Sequence, residues 1–165
     1  MKSDFIEELL LYRSGCSKSG NLTSFFAIES EQITQLEHDT GITLPPHFRK
    51  FYELIGHGSI QRGRNGVCAD YDLNIIVDPE RLKSFVLRTE PTFLVDETIF
   101  EEGDLPFFDM GSYSYLVMRI NSKKPDAIYW PYDRAVVSEN IWEFVDRLLE
   151  NPRFYHNVLH NFVSG

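Results

Sequence analysis

The stretch Ser30-Glu-Gln-Ile33-Thr-Gln-Leu36-Glu37, followed by Gly41-Ile-Thr-Leu44-Pro45-Pro46 and Phe48-Arg-Lys-Phe51-Tyr52-Glu-Leu54-Ile55-Gly56, decides how this chain folds. Ser30 is placed to cap a helix whose buried stripe is Ile33 and Leu36. Gly41 can end that helix in the left-handed conformation, and Pro46 can open a second one. Phe48, Phe51 and Tyr52 recur at helical spacing and read as core. Two helices therefore meet at a rigid corner, the second ending near Gly56.

Working outward, Asp4 to Tyr12 reads as a short amphipathic helix with Phe5, Leu9 and Tyr12 on one side. Ser14 to Asn21 is a Gly/Ser-rich connection, and Leu22 to Ile28 an extended segment leading to Ser30. Downstream, residues 56–66 form a loop in which Gly56, Gly58, Gly63 and Gly66 match neither a Walker nor a dinucleotide spacing. Asn65-Gly66 is a turn signal able to close a hairpin. Asp72 to Val77 reads as a strand, and Asp78-Pro79-Glu80 as the start of a helix running to about Leu87. A short strand is placed at Thr92 to Val95. The clearest strands are Tyr113 to Ile120 and Ala127 to Trp130, joined by the polar turn Asn121 to Asp126. A helix capped by Ser138 carries the stripe Ile141, Phe144, Val145 and Leu148, with Arg147 near its negative end; Arg153 to Phe162 forms a last helix. The fold class is α+β: one domain over 1–165, a mostly antiparallel β-meander sheet flanked by helices. Residues 1–27 supply an N-terminal helix and connection, and 151–165 a C-terminal helical extension.

The spacing I-x-x-L-E, G-x-x-L-P, aromatic-x-x-F-x-x-L-I-G resembles the opening of the SUKH superfamily of Smi/Knr-like domains. That superfamily groups fungal cell-wall regulators with bacterial immunity proteins against polymorphic toxins. Leu105-Pro106-Phe107-Phe108 and Met110-Gly111-Ser112-Tyr113-Ser114-Tyr115-Leu116-Val117 are similar to its central hairpin, with Ser112 at an Asp position. Asp126-Ala-Ile128-Tyr129-Trp130 is similar to its next strand, and Ser138 to Leu149 to its closing helix, so the resemblance covers about 28–150. Ile55-Gly56-His57-Gly58 stands where members often carry an N-G-G turn. The resemblance implies a non-catalytic protein-binding domain, an immunity protein that binds and neutralises a cognate toxin. The alternative it leaves open is an intracellular regulatory interaction domain with a non-toxin partner.

Charge narrows the partner. With 16 Lys and Arg against 25 Asp and Glu, the formal charge is −9, which argues against nucleic acid as a direct partner because phosphate binding needs clustered cations. No basic residue falls between Arg88 and Arg119, whereas Glu90, Asp96, Glu97, Glu101, Glu102, Asp104 and Asp109 all do. Phe93, Leu94, Val95, Ile99 and Phe100 alternate with them. The stretch suits either a solvated loop or a binding edge that steers a basic partner, such as a cationic toxin domain, and then holds it by apolar contact. The residues expected to bind the partner are Asp96, Glu97, Glu101, Glu102 and Asp104 by electrostatic attraction, with Tyr113, Tyr129 and Trp130 as anchors. The stretch lacks the alternate ligand spacing of an EF-hand.

No catalytic or metal site, and no cofactor, is expected. His156 and His160 stand four apart, but Asn157 occupies the place of a metalloprotease Glu, so they read as a surface helix. His47 and His57 lack a nucleophile motif, and no G-x-S-x-G elbow occurs. Cys16 and Cys68 form no C-x-x-C pair and read as reduced thiols. No apolar run approaches the roughly 20 residues of a membrane span. Carboxylates at Glu7 and Glu8 interrupt what would be a signal-peptide apolar region, so a cytoplasmic location is expected.

Overall fold

Local signals place most elements of the computed structural model, which describes residues 3–13, 23–89, 99–132 and 134–163. The chain runs α1 (Ser3–Leu11), β1 (Ser24–Phe26), α2 (Ser30–Thr40), α3 (Pro46–Leu54), β2 (His57–Ser59), β3 (Ile75–Ile76) and α4 (Pro79–Val86). It continues through β4 (Asp104–Gly111), β5 (Ser114–Arg119), β6 (Ile128–Tyr129), β7 (Val136–Ser138), α5 (Ile141–Glu150) and α6 (Phe154–Val163). The strands form one antiparallel sheet in sequence order, the meander expected of an α+β fold. The connection at Ser14 to Asn21 and the strand at Thr92 to Val95 lie outside the described residues. Among the described residues, no helix is long and apolar enough to cross a membrane.

The corner forms as its residues dictate, with one change at its entrance. Gly41 has φ +69°, and its N–H closes α2 onto the Glu37 carbonyl at 2.9 Å. Pro45 and Pro46 then start α3. Glu37 fastens the two helices together: its carboxylate accepts from the Leu44 N–H at 2.9 Å and pairs with Arg49. The N-cap of α2 is Glu29 rather than Ser30. Glu29 is extended at φ −73°, ψ 144° and makes a reciprocal capping box with Gln32, which leaves Ser30 inside the first turn. At α5 the same displacement occurs. Asn140 accepts from the Trp142 and Glu143 N–H groups at 3.0 and 3.1 Å, while Ser138 ends β7 and is buried.

Packing centres on aromatic rings from both layers. Pairing of β4 with β5 shifts register between Pro106 and Phe108, and the shift turns both Phe107 and Phe108 toward Phe144, at 6.0 and 4.8 Å between ring centroids. Phe48, Phe51 and Tyr52 are fully buried, and the Tyr52 hydroxyl donates to the Val77 carbonyl at 2.7 Å. α6 closes the core at its far end. Tyr155 is fully buried and donates to Asn74 Oδ1 at 2.7 Å, while Asn74 Nδ2 donates to the Ile60 and Pro152 carbonyls at 3.1 and 2.8 Å. The loop expectation for residues 56–66 is corrected in part. His57–Ser59 pairs on both sides as β2, because Gly58 lets β1 approach it. Gly66, at φ +82°, completes the tight turn expected at Asn65-Gly66.

α2 and α4 are joined by a half-buried pair, in which Lys83 Nζ donates to Asp39 Oδ2 at 2.6 Å. That bond, helped by His38 and Gln35, holds the Asp39 carboxyl down to about 2. A depressed folded-state value means the stabilisation is complete above the ordinary carboxylate range and is lost as pH falls through about 2. Side-chain NMR titration is expected to give that low midpoint for Asp39 and to return it toward the ordinary range in Lys83→Ala. An unmoved midpoint in the variant would remove the pair as its cause.

Candidate functional site

The residues expected to bind a partner are not gathered in one place. Glu101, Glu102 and Asp104 stand where β4 begins, and Tyr113 lies beyond the far end of the same strand. At about 3.3 Å per residue the length of β4 puts them on the order of 25 Å apart. Tyr129 faces the middle of β5, opposite Val117. Asp96 and Glu97 lie outside the described residues.

Asp104 does not present a free charge. Its carboxylate is 1% exposed and accepts from Arg119 Nε at 3.1 Å, since the hairpin register puts the two residues opposite each other. Burial pushes the carboxyl up against the downward pull of the Glu101 N–H and Arg119. Tyr129 is 9% exposed and lies 5.3 Å beneath the Arg119 guanidinium, so it supports this pair from below. Glu101 bridges outward, 2.7 Å from Arg134 and 3.5 Å from Arg119. Glu102 is exposed. Trp130 is half-buried and packs at 4.7 Å against the exposed ring of Tyr132.

The structure assembles a different apolar surface at the tip of the β4–β5 hairpin. Tyr71 is 98% exposed, Tyr113 59% and Leu73 44%. The Leu73 N–H donates to the Met110 carbonyl at 3.1 Å, and its side chain lies over Gly111, which brings residues 71–73 beside the tip. Ser112 and Tyr113 both have positive φ, +51° and +60°, in a two-residue turn where Asn-Gly is the usual choice. Asp70 and Asn74 are also left-handed, so four of the six described non-glycine residues with positive φ flank this patch. Strain of this kind persists where surrounding contacts over-determine the backbone, and it clusters at binding sites.

Polar contacts brace the rim. Arg153 meets Asp70 at 2.7 Å, His156 meets Asp72 at 2.8 Å, and Arg81 meets the buried Asp109 at 2.9 Å while donating to the Tyr115 hydroxyl at 3.1 Å. His156 is thus engaged with Asp72, and the His160 side chain lies outside the described residues. Sequence reasoning named Tyr113 and did not name Tyr71 or Leu73, which the structure places beside it. The available signal was an aromatic residue between two acids, Asp70-Tyr71-Asp72, a composition that belongs in a loop rather than a core. This arrangement offers exposed aromatic area on a braced backbone, a composition suited to protein recognition.

Comparison with known proteins agrees in extent with the fold. The family model described as SMI1 / KNR4 family (SUKH-1) matches residues 27–147. A relative, Immunity protein YxxD from Bacillus subtilis (strain 168), is 25% identical over 146 residues, covering 86% of this chain and 94% of that protein.

Proposed function

The chain belongs to the SMI1 / KNR4 family (SUKH-1), and from that premise we propose that it is an immunity-type protein that binds a cognate toxin domain and neutralises it by covering it, without chemistry of its own. The observation that carries this reading is the similarity to Immunity protein YxxD, which runs over most of both chains and so concerns more of the fold than a single motif. The charge of −9 favours a basic toxin domain, drawn in at long range and held after contact by apolar area. In this reading Tyr71, Leu73 and Tyr113 are the anchors. Glu101 and Glu102, with Asp96 and Glu97, steer the approach, Trp130 and Tyr132 extend the contact, and Asp104 and Tyr129 keep their underlying support in place.

Expression tests the function directly. A basic polypeptide retained on the immobilised protein at low salt, and released by a salt gradient, is expected to be toxic when produced alone and harmless when produced with this chain. A retained polypeptide that is harmless alone would overturn the immunity reading. The tip has its own test. Tyr71→Ala and Tyr113→Ala are each expected to weaken toxin binding by about 2 kcal/mol, roughly 30-fold. Because both side chains are exposed, unfolding stability should change by no more than about 0.5 kcal/mol. Calorimetric affinities equal to that of the unmodified protein would remove the tip from the interface.

A further inference from the structure

A groove of about 710 Å³ opens between the N-terminal turns of α1 and α5, away from the residues of the aromatic tip. Its floor is the rings of Phe5 and Trp142, and its rim carries Asp4, Glu8, Glu143 and Asp146. Arg64 enters from the side and already displays how this surface treats a cation. It donates to both Glu8 oxygens at 2.7 Å and to Asp146 Oδ1 at 2.7 Å, and its guanidinium lies 5.8 Å from the Phe5 centroid. These partners raise the Arg64 pKa, the Glu8 hydrogen bond most strongly.

One guanidinium does not balance the rim. Four carboxylates against Arg64 leave a formal −3 with His47 neutral. Asp4 has no ion-pair partner among the described residues, and the Glu143 carboxylate accepts from the Glu139 N–H at 3.1 Å and stands 3.9 Å from Arg147, its one cationic neighbour among the described ion pairs. Asp4 and Glu143 belong to different helices, so their charges converge on the groove from both sides. The apolar floor and the uncompensated rim together fit a long cationic side chain. Its methylenes can lie on Trp142 and Phe5 while its charged end reaches Asp4 or Glu143. A compact divalent ion would meet Arg64 at close range, and a second copy of this acidic chain would be repelled by its own charge.

We propose that this groove receives an arginine- or lysine-bearing segment of the protein partner, a deepening that rests on the binding-protein reading above. It adds a second contact to the aromatic tip and explains how an acidic protein distinguishes a basic partner by shape as well as by net charge.

The test uses the full chain and a capped peptide of alternating arginine and glycine as probe, followed by amide and indole NMR shifts. Shifts centred on Phe5, Trp142 and Glu143 are expected. Asp4→Asn combined with Glu143→Gln should weaken binding about tenfold, the effect of two exposed ion pairs together. Glu31→Gln combined with Glu80→Gln, the same charge change outside the groove, should cost less than about twofold by ordinary screening. All four side chains are exposed, so both variants keep the fold. Shifts spread evenly over the acidic surface, or equal losses in the two variants, would overturn the proposal. So would sedimentation that reports a dimer abolished by the groove variant, because a second copy would then be the occupant. The peptide result is independent of toxin rescue: rescue without groove binding sinks this proposal alone, and groove binding without rescue sinks the immunity reading alone.

Discussion

Replacing Arg119 by alanine is expected to lower the unfolding free energy by about 3–5 kcal/mol, the cost of leaving a buried charge without its partner. The partner is Asp104, whose side chain is 1% exposed. Arg119 also donates to the Pro131 carbonyl at 3.3 Å and covers the Tyr129 ring, so its loss opens a gap as well as an unpaired carboxylate. The pH dependence carries a definite sign. Burial already holds the Asp104 carboxyl above its ordinary value, and losing the guanidinium removes an opposing pull. A carboxyl raised in the folded state favours folding below its unfolded-state value, and that contribution disappears as pH rises through the folded-state value. The deficit of Arg119→Ala should therefore be smallest in acid and grow toward neutrality. Arg119→Met combined with Asp104→Leu replaces both charges by apolar volume and should recover most of the loss. Urea denaturation of the single and double variants decides the matter. A double variant no more stable than Arg119→Ala would mean that the pair is not what the alanine variant loses.

The same pair marks where the sequence stopped being readable. Asp104 was expected as a steering charge because seven acids and no base lie between Arg88 and Arg119. Linear order hides that Arg119, just past that interval, folds back opposite Asp104 once β4 and β5 pair. The corner at Gly41 to Pro46 was legible for the opposite reason. A left-handed glycine and two prolines act on their own backbone, so no distant partner is needed to interpret them. Helix caps fall between these cases. Ser30 and Ser138 each had the right chemistry, but Glu29 and Asn140 had the extended backbone and the reach to bond the free N–H groups.

The candidate site follows the same division. Tyr113 was read from the sequence as the first residue of a strand, and the structure places it in the turn before β5 with φ +60°, a shift of one residue set by the local turn. Tyr71 became visible only when Leu73 was found bonded to Met110, a contact spanning the whole of α4 in sequence. The bulge at Phe107 was likewise hidden, since alternation along Leu105 to Met110 cannot reveal two adjacent rings facing the same core. The groove depends on α1 and α5, which are far apart in the sequence and are joined there through Arg64.

Gly56→Ala is the second large loss, expected at about 2–6 kcal/mol from backbone strain and crowding acting together. Gly56 has φ +106°, and a Cβ there would stand 1.8 Å from the Phe26 carbonyl oxygen. That atom belongs to backbone, so no side-chain rotation relieves the overlap. Gly58 repeats the constraint two residues on, where a Cβ would lie 2.1 Å from the Ser24 carbonyl oxygen. Together the two glycines press β2 against β1, in the register Phe25 to Gly58 and Phe26 to His57. Moving β1 away would uncover Phe25, which is fully buried and packs edge-on against Phe51 at 5.9 Å. It would also release α1, because the Phe25 N–H donates to the Tyr12 carbonyl at 2.9 Å. Gly41→Ala supplies the control. Its φ is +69° but nothing lies within 4 Å of the added Cβ, so it isolates the left-handed strain at about 1–2 kcal/mol. The difference between the two variants measures the contact between β1 and β2. Hydrogen exchange should show faster opening of β1 in Gly56→Ala and not in Gly41→Ala. Equal losses in denaturation, with β1 equally protected, would mean that these glycines serve the turn after α3 and not the seating of β1.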